Sequence, residues 1–281
     1  MKNRPVLFLD SGVGGIPYCR HYLKQNPDES IVYLADRLHF PYGIREKSEL
    51  IGILSALADL LIKTINPKII VLACNTATLA ALSALRERFP ESSFVGTVPA
   101  VKPAALASKN GKIGVLGTEL TIKQPFIKEL AAQYGDNEII GIATPELVTF
   151  IEERFCSASD EEKKAVVQNY MDRFRSAGID TLVLGCTHFL FLQEDFQRDA
   201  YPDITVFDSI AGITRRIESL LTETAVQQAN TLQTNASCAK NRLLLTGSQK
   251  PEPSWSIWAD RLGFSLSLLQ NNEQLVMSNE Q

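Results

Sequence analysis

The sequence lacks the features that define several large protein classes. Its five cysteines, at 19, 74, 156, 186 and 238, are odd in number and contain no Cys-x-x-Cys pair. That argues against a disulfide framework and a zinc site, and fits free thiols in a reducing compartment. No apolar run approaches the roughly 18 residues of a membrane span. The opening "MKNRPVLFLD" enters a strand-like run without the apolar core and cleavage site of a signal peptide. A cytoplasmic location and no membrane partner are therefore expected. Basic residues are scattered and the net charge is -4, so no nucleic-acid partner is expected. No G-x-x-x-x-G-K-[ST] loop occurs, and no motif requires a metal or pyridoxal phosphate.

What is present is a rhythm. The 281 residues are enough for about two domains at roughly 100 to 200 residues each. Strand-like runs ("PVLFLD", "SIVYLAD", "KIIVLAC", "SFVGTV", "KIGVLGT", "NEIIGIA", "DTLVLGC", "ITVFDS") alternate with helical patterns such as "SELIGILSALADLLIKTI" and "DEEKKAVVQNYMDRFRSAG". Several runs are apolar throughout, as parallel strands covered on both faces require. The expected fold is α/β, with doubly wound, mainly parallel sheets. The halves are related: "PVLFLDSG" resembles "KIGVLGTE", with Leu9 matching Leu116 at an offset of 107 residues. The same offset carries Cys74 to position 181, five residues short of Cys186 in "DTLVLGCTHFLFL". Two pseudo-symmetric domains are expected, each ending an inner strand on a cysteine, with the boundary near "TVPAVKPAA". The polar stretch from about Glu223 to Asn241 reads as a surface loop or divergent connection, and the final "SNEQ" as frayed.

In open α/β sheets, ligands bind beyond the carboxyl ends of the strands. Asp10, Asp36, Cys74, Thr118, Cys186 and Asp208 fall at such ends. Cys19, Cys156 and Cys238 read as small apolar residues. Cys74 and Cys186 differ, because each ends a strand, opens a helix and precedes hydroxyl or amide side chains ("CNT", "CTH"). An ordinary thiol, with a pKa of about 8.5, is only a few per cent thiolate at neutral pH, and a helix N-terminus lowers the cost of the anion. Two thiols across one pocket could take a proton from one face of a carbon and deliver another to the opposite face. Asp10 and His188 would complement them, His188 because imidazole exchanges protons near neutrality. His21 and His39 have no such support.

The "DSGVGG" loop lets the backbone approach a ligand closely. A dinucleotide reading of Gly12-x-Gly14 with Asp36 fails at position 17, which is Pro, and at Asp10, which would oppose a pyrophosphate. In "FPYGIREKSEL", Tyr42 and neighbouring N–H groups could close over a small acid. By position alone, Glu152 and Glu153 read as solvated helix residues, and Trp255 and Trp258 as core.

Taken together, "LDSGVGG", "PYG", "ACNTAT", "VPAVKPA", "IGVLGT" and "VLGCTH", in that order from Leu9 to His188, resemble the glutamate racemases of the aspartate/glutamate racemase superfamily. "FDS" at Phe207 to Ser209 is a weaker match, and similarity loosens after about residue 222. The resemblance implies an active site in the cleft between the domains. It implies a chain that returns to its first domain: 1–98 plus 210–281 for the first, 99–209 for the second. It implies cofactor-independent interconversion of L- and D-glutamate, supplying D-glutamate for peptidoglycan. By motif position, Cys74 would deprotonate D-glutamate with Asp10 assisting, and Cys186 would deprotonate L-glutamate with His188 assisting. Asp10, Ser11, Tyr42, Gly43, Asn75, Thr76, Thr187 and His188 would hold the substrate, with carboxylate contacts from Thr118 and Thr121. Pro145 and Val148 place Glu152 on the family's acidic position, which raises it to a catalytic candidate.

The sequence departs from the family wording at "ADRLHF" before "PYG", and at Phe189-Leu190 after "GCTH", both at the pocket rim. The sequence also lacks the N-terminal extension of family members that require a peptidoglycan-precursor activator. A homodimer is expected from the family habit. The rival readings are a racemase of aspartate or a hydantoin, and a non-catalytic relative acting on a partner, as in family members that inhibit DNA gyrase.

Overall fold

A computed structural model describes residues 4–228 and 241–269. The chain forms two compact units, Met1–Thr97 with Ile210–Gln281, and Val98–Ser209.

The first unit begins with β1 (Val6–Asp10), α1 (Ile16–Gln25), β2 (Ile31–Ala35), α2 (Lys47–Thr64), β3 (Ile69–Leu72), α3 (Asn75–Arg88) and β4 (Phe94–Gly96). The second contains α4 (Val101–Ala107), β5 (Lys112–Gly117), α5 (Glu119–Lys123), α6 (Pro125–Ala132), β6 (Glu138–Ala143), α7 (Pro145–Glu153), α8 (Asp160–Ala177), β7 (Thr181–Leu184), α9 (Gln193–Ala200) and β8 (Thr205–Phe207). The chain then adds α10 (Ile210–Gln228), β9 (Arg242–Leu245), α11 (Pro253–Leu262) and β10 (Ser265–Leu268) to the first unit.

The sheets run β10-β9-β2-β1-β3-β4 and β6-β5-β7-β8, and every strand pair is parallel. The order β2-β1-β3-β4 therefore recurs as β6-β5-β7-β8. This is the internal repeat in three dimensions, with β1 and β5 as its central strands.

Local sequence explains the elements. The inner strands β1 and β3 are buried along their whole length, so their runs show no alternation. In α2, Leu50, Ile53, Leu54, Leu57 and Leu61 recur at helical spacing and pack on Leu7, Leu9, Ile70 and Leu72. Each such side chain contributes about 1.5–3 kcal/mol by leaving water. In α8, Ser159 and Glu162 form a reciprocal capping box that satisfies two free N–H groups. Trp255 and Trp258 are buried on α11.

Two expectations are corrected. The stretch read as a loop from about Glu223 is helical as far as Gln228, because α10 continues into it; residues 229–240 and the final "SNEQ" lie outside the described residues. The strands β9 and β10 are absent from the expected set. Both are only four residues long, and β10 alternates Ser and Leu as a half-buried edge strand does.

Candidate active site

All six strand-end residues lie at or within two residues of the carboxyl end of a strand. Asp10 is the last residue of β1, Asp36 and Thr118 follow β2 and β5 directly, Cys74 and Cys186 lie two residues beyond β3 and β7, and Asp208 follows β8. The two cysteines are delivered by the same device. Ala73, before Cys74, donates its N–H to the Leu9 carbonyl at 2.8 Å, and Gly185, before Cys186, donates to Leu116 at 2.7 Å. The two leucines matched in sequence thus hold the same backbone bond in each unit. A Cβ on Gly185 would lie 2.9 Å from the Leu116 carbonyl oxygen, so only glycine fits there. On the Cys74 side the crowding falls on Gly15, where a Cβ would lie 2.6 Å from that of Ala73.

In the first unit Asp10 is fully buried and accepts from the Gly12 N–H at 3.2 Å and from the Ser11 hydroxyl at 3.4 Å. The Tyr33 hydroxyl pins the same loop, donating to the Gly12 carbonyl at 2.8 Å and accepting from the Gly15 N–H at 3.2 Å. Cys74 caps α3, whose first turn buries Asn75 and Thr76. Its carbonyl accepts the Thr78 N–H at 2.9 Å, the first α-type bond of a 14-residue helix. Free N–H groups and the helix dipole therefore meet at Cys74. Tyr42 and Gly43 stand on a 3₁₀ turn, Tyr42–Ile44, with Tyr42 buried in the same cluster as Cys74 and Gly43 partly exposed. Burial, then the charge of Asp36 and the hydrogen bond to it, holds the Tyr42 phenol well above its ordinary value of 10, with Cys74 and Asp10 adding to the effect.

In the second unit the expectation of a helix opening at Cys186 needs correction. The segment after it, Thr187–Leu192, is a 3₁₀ helix, and the Cys186 carbonyl accepts from Phe189 three residues on. A short 3₁₀ turn offers a thiolate less dipole than α3 offers Cys74. A relay takes its place. The Cys186 sulfur lies 3.7 Å from His188 Nδ1, and His188 Nε2 lies 2.6 Å from Glu152 Oε1 on α7. Burial alone would disfavour the imidazolium, but the hydrogen bonds and charges of Cys186 and Glu152 hold His188 well above 6.5. Glu152 is thus a partner of the buried ring rather than a solvated helix residue. Thr187 is buried beside Cys186 in sequence. Thr118 caps α5: its hydroxyl accepts the Thr121 N–H at 3.3 Å and lies 3.0 Å from the Thr121 hydroxyl. Thr144 caps α7 and is hydrogen-bonded to Tyr170 of α8, a pair that steadies the helix carrying Glu152 and that the sequence did not single out.

Of the other cysteines, Cys19 is fully buried and burial pushes its thiol far up, Cys156 is half-buried, and Cys238 lies outside the described residues. His39, given no role by sequence, is buried against Asp36 with Nδ1 2.8 Å from Oδ2. The signal was its position three residues after a strand-end acid.

Two parallel sheets, each with a cysteine two residues beyond a strand that neighbours β1 or β5, make an α/β protein with matched halves. Residues 18–217 match the family described as Asp/Glu/Hydantoin racemase, to which this chain belongs. Within that family it is similar to glutamate racemase of Roseiflexus sp. (strain RS-1), with 37% identity over 238 residues, 84% of this chain and 86% of that protein. Its fold matches Escherichia coli glutamate racemase in complex with L-glutamate and the activator UDP-MurNAc-Ala, with a TM-score of 0.79 and 30% identity over 95% of this chain and 98% of that one. It also matches glutamate racemase of Francisella tularensis in complex with D-glutamate, with a TM-score of 0.74 and 25% identity over 96% and 98% of the two chains. Among the described residues, no helix is long and apolar enough to cross a membrane.

Proposed function

We propose that the protein interconverts L- and D-glutamate at Cα with no cofactor, through Cys74 and Cys186 acting on one substrate from opposite faces. The observation that carries this reading is the recurrence of one strand order and one backbone bond beneath two cysteines with different proton partners. Relatives named as glutamate racemases, and solved relatives holding L- or D-glutamate, support glutamate as the substrate.

In this reading Cys74 removes the Cα proton of D-glutamate with Asp10 beside it, while Cys186 supplies a proton to the other face. In the reverse direction Cys186 is the base, and His188 with Glu152 stabilises its thiolate. Asp10 meets the substrate ammonium. Ser11, Asn75, Thr76, Thr118, Thr121 and Thr187, with backbone N–H groups near Tyr42 and Gly43, receive the carboxylates. Preorganised donors offset charge developing at the carbon, and exclusion of water strengthens them. The product serves peptidoglycan synthesis in the cytoplasm, and the working state is a homodimer, which light scattering of the purified protein would test.

The functional test is circular dichroism of L- and D-glutamate with purified protein and no added cofactor, with aspartate in parallel. Each glutamate enantiomer should lose its signal toward zero and aspartate should keep its own. Preferential racemisation of aspartate would overturn the substrate assignment.

A further inference from the structure

Three side chains converge on Asp36, a fully buried acid that the scheme above leaves unused. The Thr246 hydroxyl donates to Oδ1 at 2.6 Å, the Tyr42 hydroxyl donates to Oδ2 at 2.8 Å, and His39 Nδ1 lies 2.8 Å from Oδ2. Thr246 is itself fully buried and follows β9, the strand the chain adds after its long excursion. Its N–H donates to the Ala35 carbonyl at the end of β2, and its hydroxyl also accepts the Leu38 N–H at 3.0 Å, at the start of the segment leading to Tyr42.

The consequence lies in the hydrogen count. The Thr246 and Tyr42 hydroxyls each turn their single proton toward an oxygen of Asp36. Tyr42 has one hydroxyl proton, and Asp36 takes it. What the phenol offers to anything else is lone pairs. Tyr42 belongs to the buried apolar cluster that includes Cys74, and its phenol is influenced by both Cys74 and Asp10.

Resting on the racemase reading above, we infer that Thr246 is a positioning residue for the Cys74 half of the reaction: through Asp36 it fixes the Tyr42 oxygen as a hydrogen-bond acceptor that orients the Cys74 thiol. Without the Thr246 bond, Asp36 has one fewer donor and Leu38 loses its acceptor, so the segment carrying Tyr42 loosens. The Tyr42 oxygen then no longer presents its lone pairs in one direction, and only proton transfer at Cys74 suffers.

The test uses symmetry. The two enantiomers have equal free energy, so kcat/KM is the same in both directions for any variant. The isotope effects need not be. Slowing the Cys74 step makes removal of the Cα proton from D-glutamate more rate-limiting and its removal from L-glutamate less so. Thr246→Val in the full-length protein should lower kcat/KM by roughly five- to thirtyfold. With Cα-deuterated substrates, the isotope effect should rise from D-glutamate and fall toward unity from L-glutamate. Thr246→Ser, which keeps the hydroxyl, should restore wild-type values, and Tyr42→Phe should reproduce the Val pattern. A thermal melt establishes folding, and if Thr246→Val does not fold, Asp36→Asn takes its place with the same expectations. A fall in rate with both isotope effects unmoved, or no fall at all, overturns the inference. Wild-type protein in the same assay keeps the two readings apart: its failure to racemise glutamate counts against the racemase, whereas an active wild type with unmoved isotope effects in the variants counts against Thr246 alone.

Discussion

His188 and Glu152, 36 residues apart in the chain, meet at 2.6 Å between Nε2 and Oε1, and the same ring presents Nδ1 to the Cys186 sulfur at 3.7 Å. The imidazole therefore couples a thiol to a carboxylate. Its raised folded-state pKa stabilises the fold below the unfolded value of about 6.5, and that contribution is lost as pH rises through the folded value. Stability measured by urea denaturation should decline from near neutral into alkaline pH. Glu152→Gln should flatten that decline and lower kcat/KM by roughly five- to thirtyfold, about 1–2 kcal/mol for a charge-assisted bond. An unchanged pH slope in the variant would show that the pair is not coupled.

Proton exchange with solvent gives a second prediction. Thiol protons exchange with water, so glutamate racemised in D₂O should carry deuterium at Cα, read by proton NMR as loss of the Cα signal. Full retention of protium in the product would point to chemistry other than two exchangeable bases.

The backbone approach beneath each cysteine gives a third. Gly185→Ala places a methyl against the Leu116 carbonyl, and Gly15→Ala places one against Ala73. Each should cost about 1–3 kcal/mol of stability and displace its thiol, lowering activity further than stability alone explains. Gly52→Ala on α2, where a Cβ meets nothing within 4 Å, is the control and should be neutral or stabilising by up to about 1 kcal/mol. Equal melting temperatures for all three variants would refute the packing argument.

Much of this arrangement was legible in the sequence, for identifiable reasons. Parallel strands buried over all or nearly all of their length leave apolar runs without alternation, so β1, β3, β5 and β7 announce themselves. The repeat was visible because Leu9 and Leu116 stand in similar apolar runs, and their carbonyls accept the same backbone bond, from Ala73 and from Gly185. The Asp36 cluster was not legible. Thr246 lies 210 residues from Asp36, and a single hydroxyl after a four-residue strand carries no periodic signal. The 3₁₀ turn at Cys186 escaped too, since "CTHFLFL" has the composition of a helix start and only the i+3 bond from Phe189 separates the two forms.

The central claim is that two thiols, one in each unit, each perform one half of a proton exchange. Cys74 and Cys186 are small, nearly buried side chains, so Cys74→Ala and Cys186→Ala should fold, with stability changed by about 1 kcal/mol. The direct measurement is the racemisation rate of L- and D-glutamate by each folded single-thiol variant. The account predicts that racemisation is abolished in both variants and in both directions. Wild-type racemisation by either variant would contradict it.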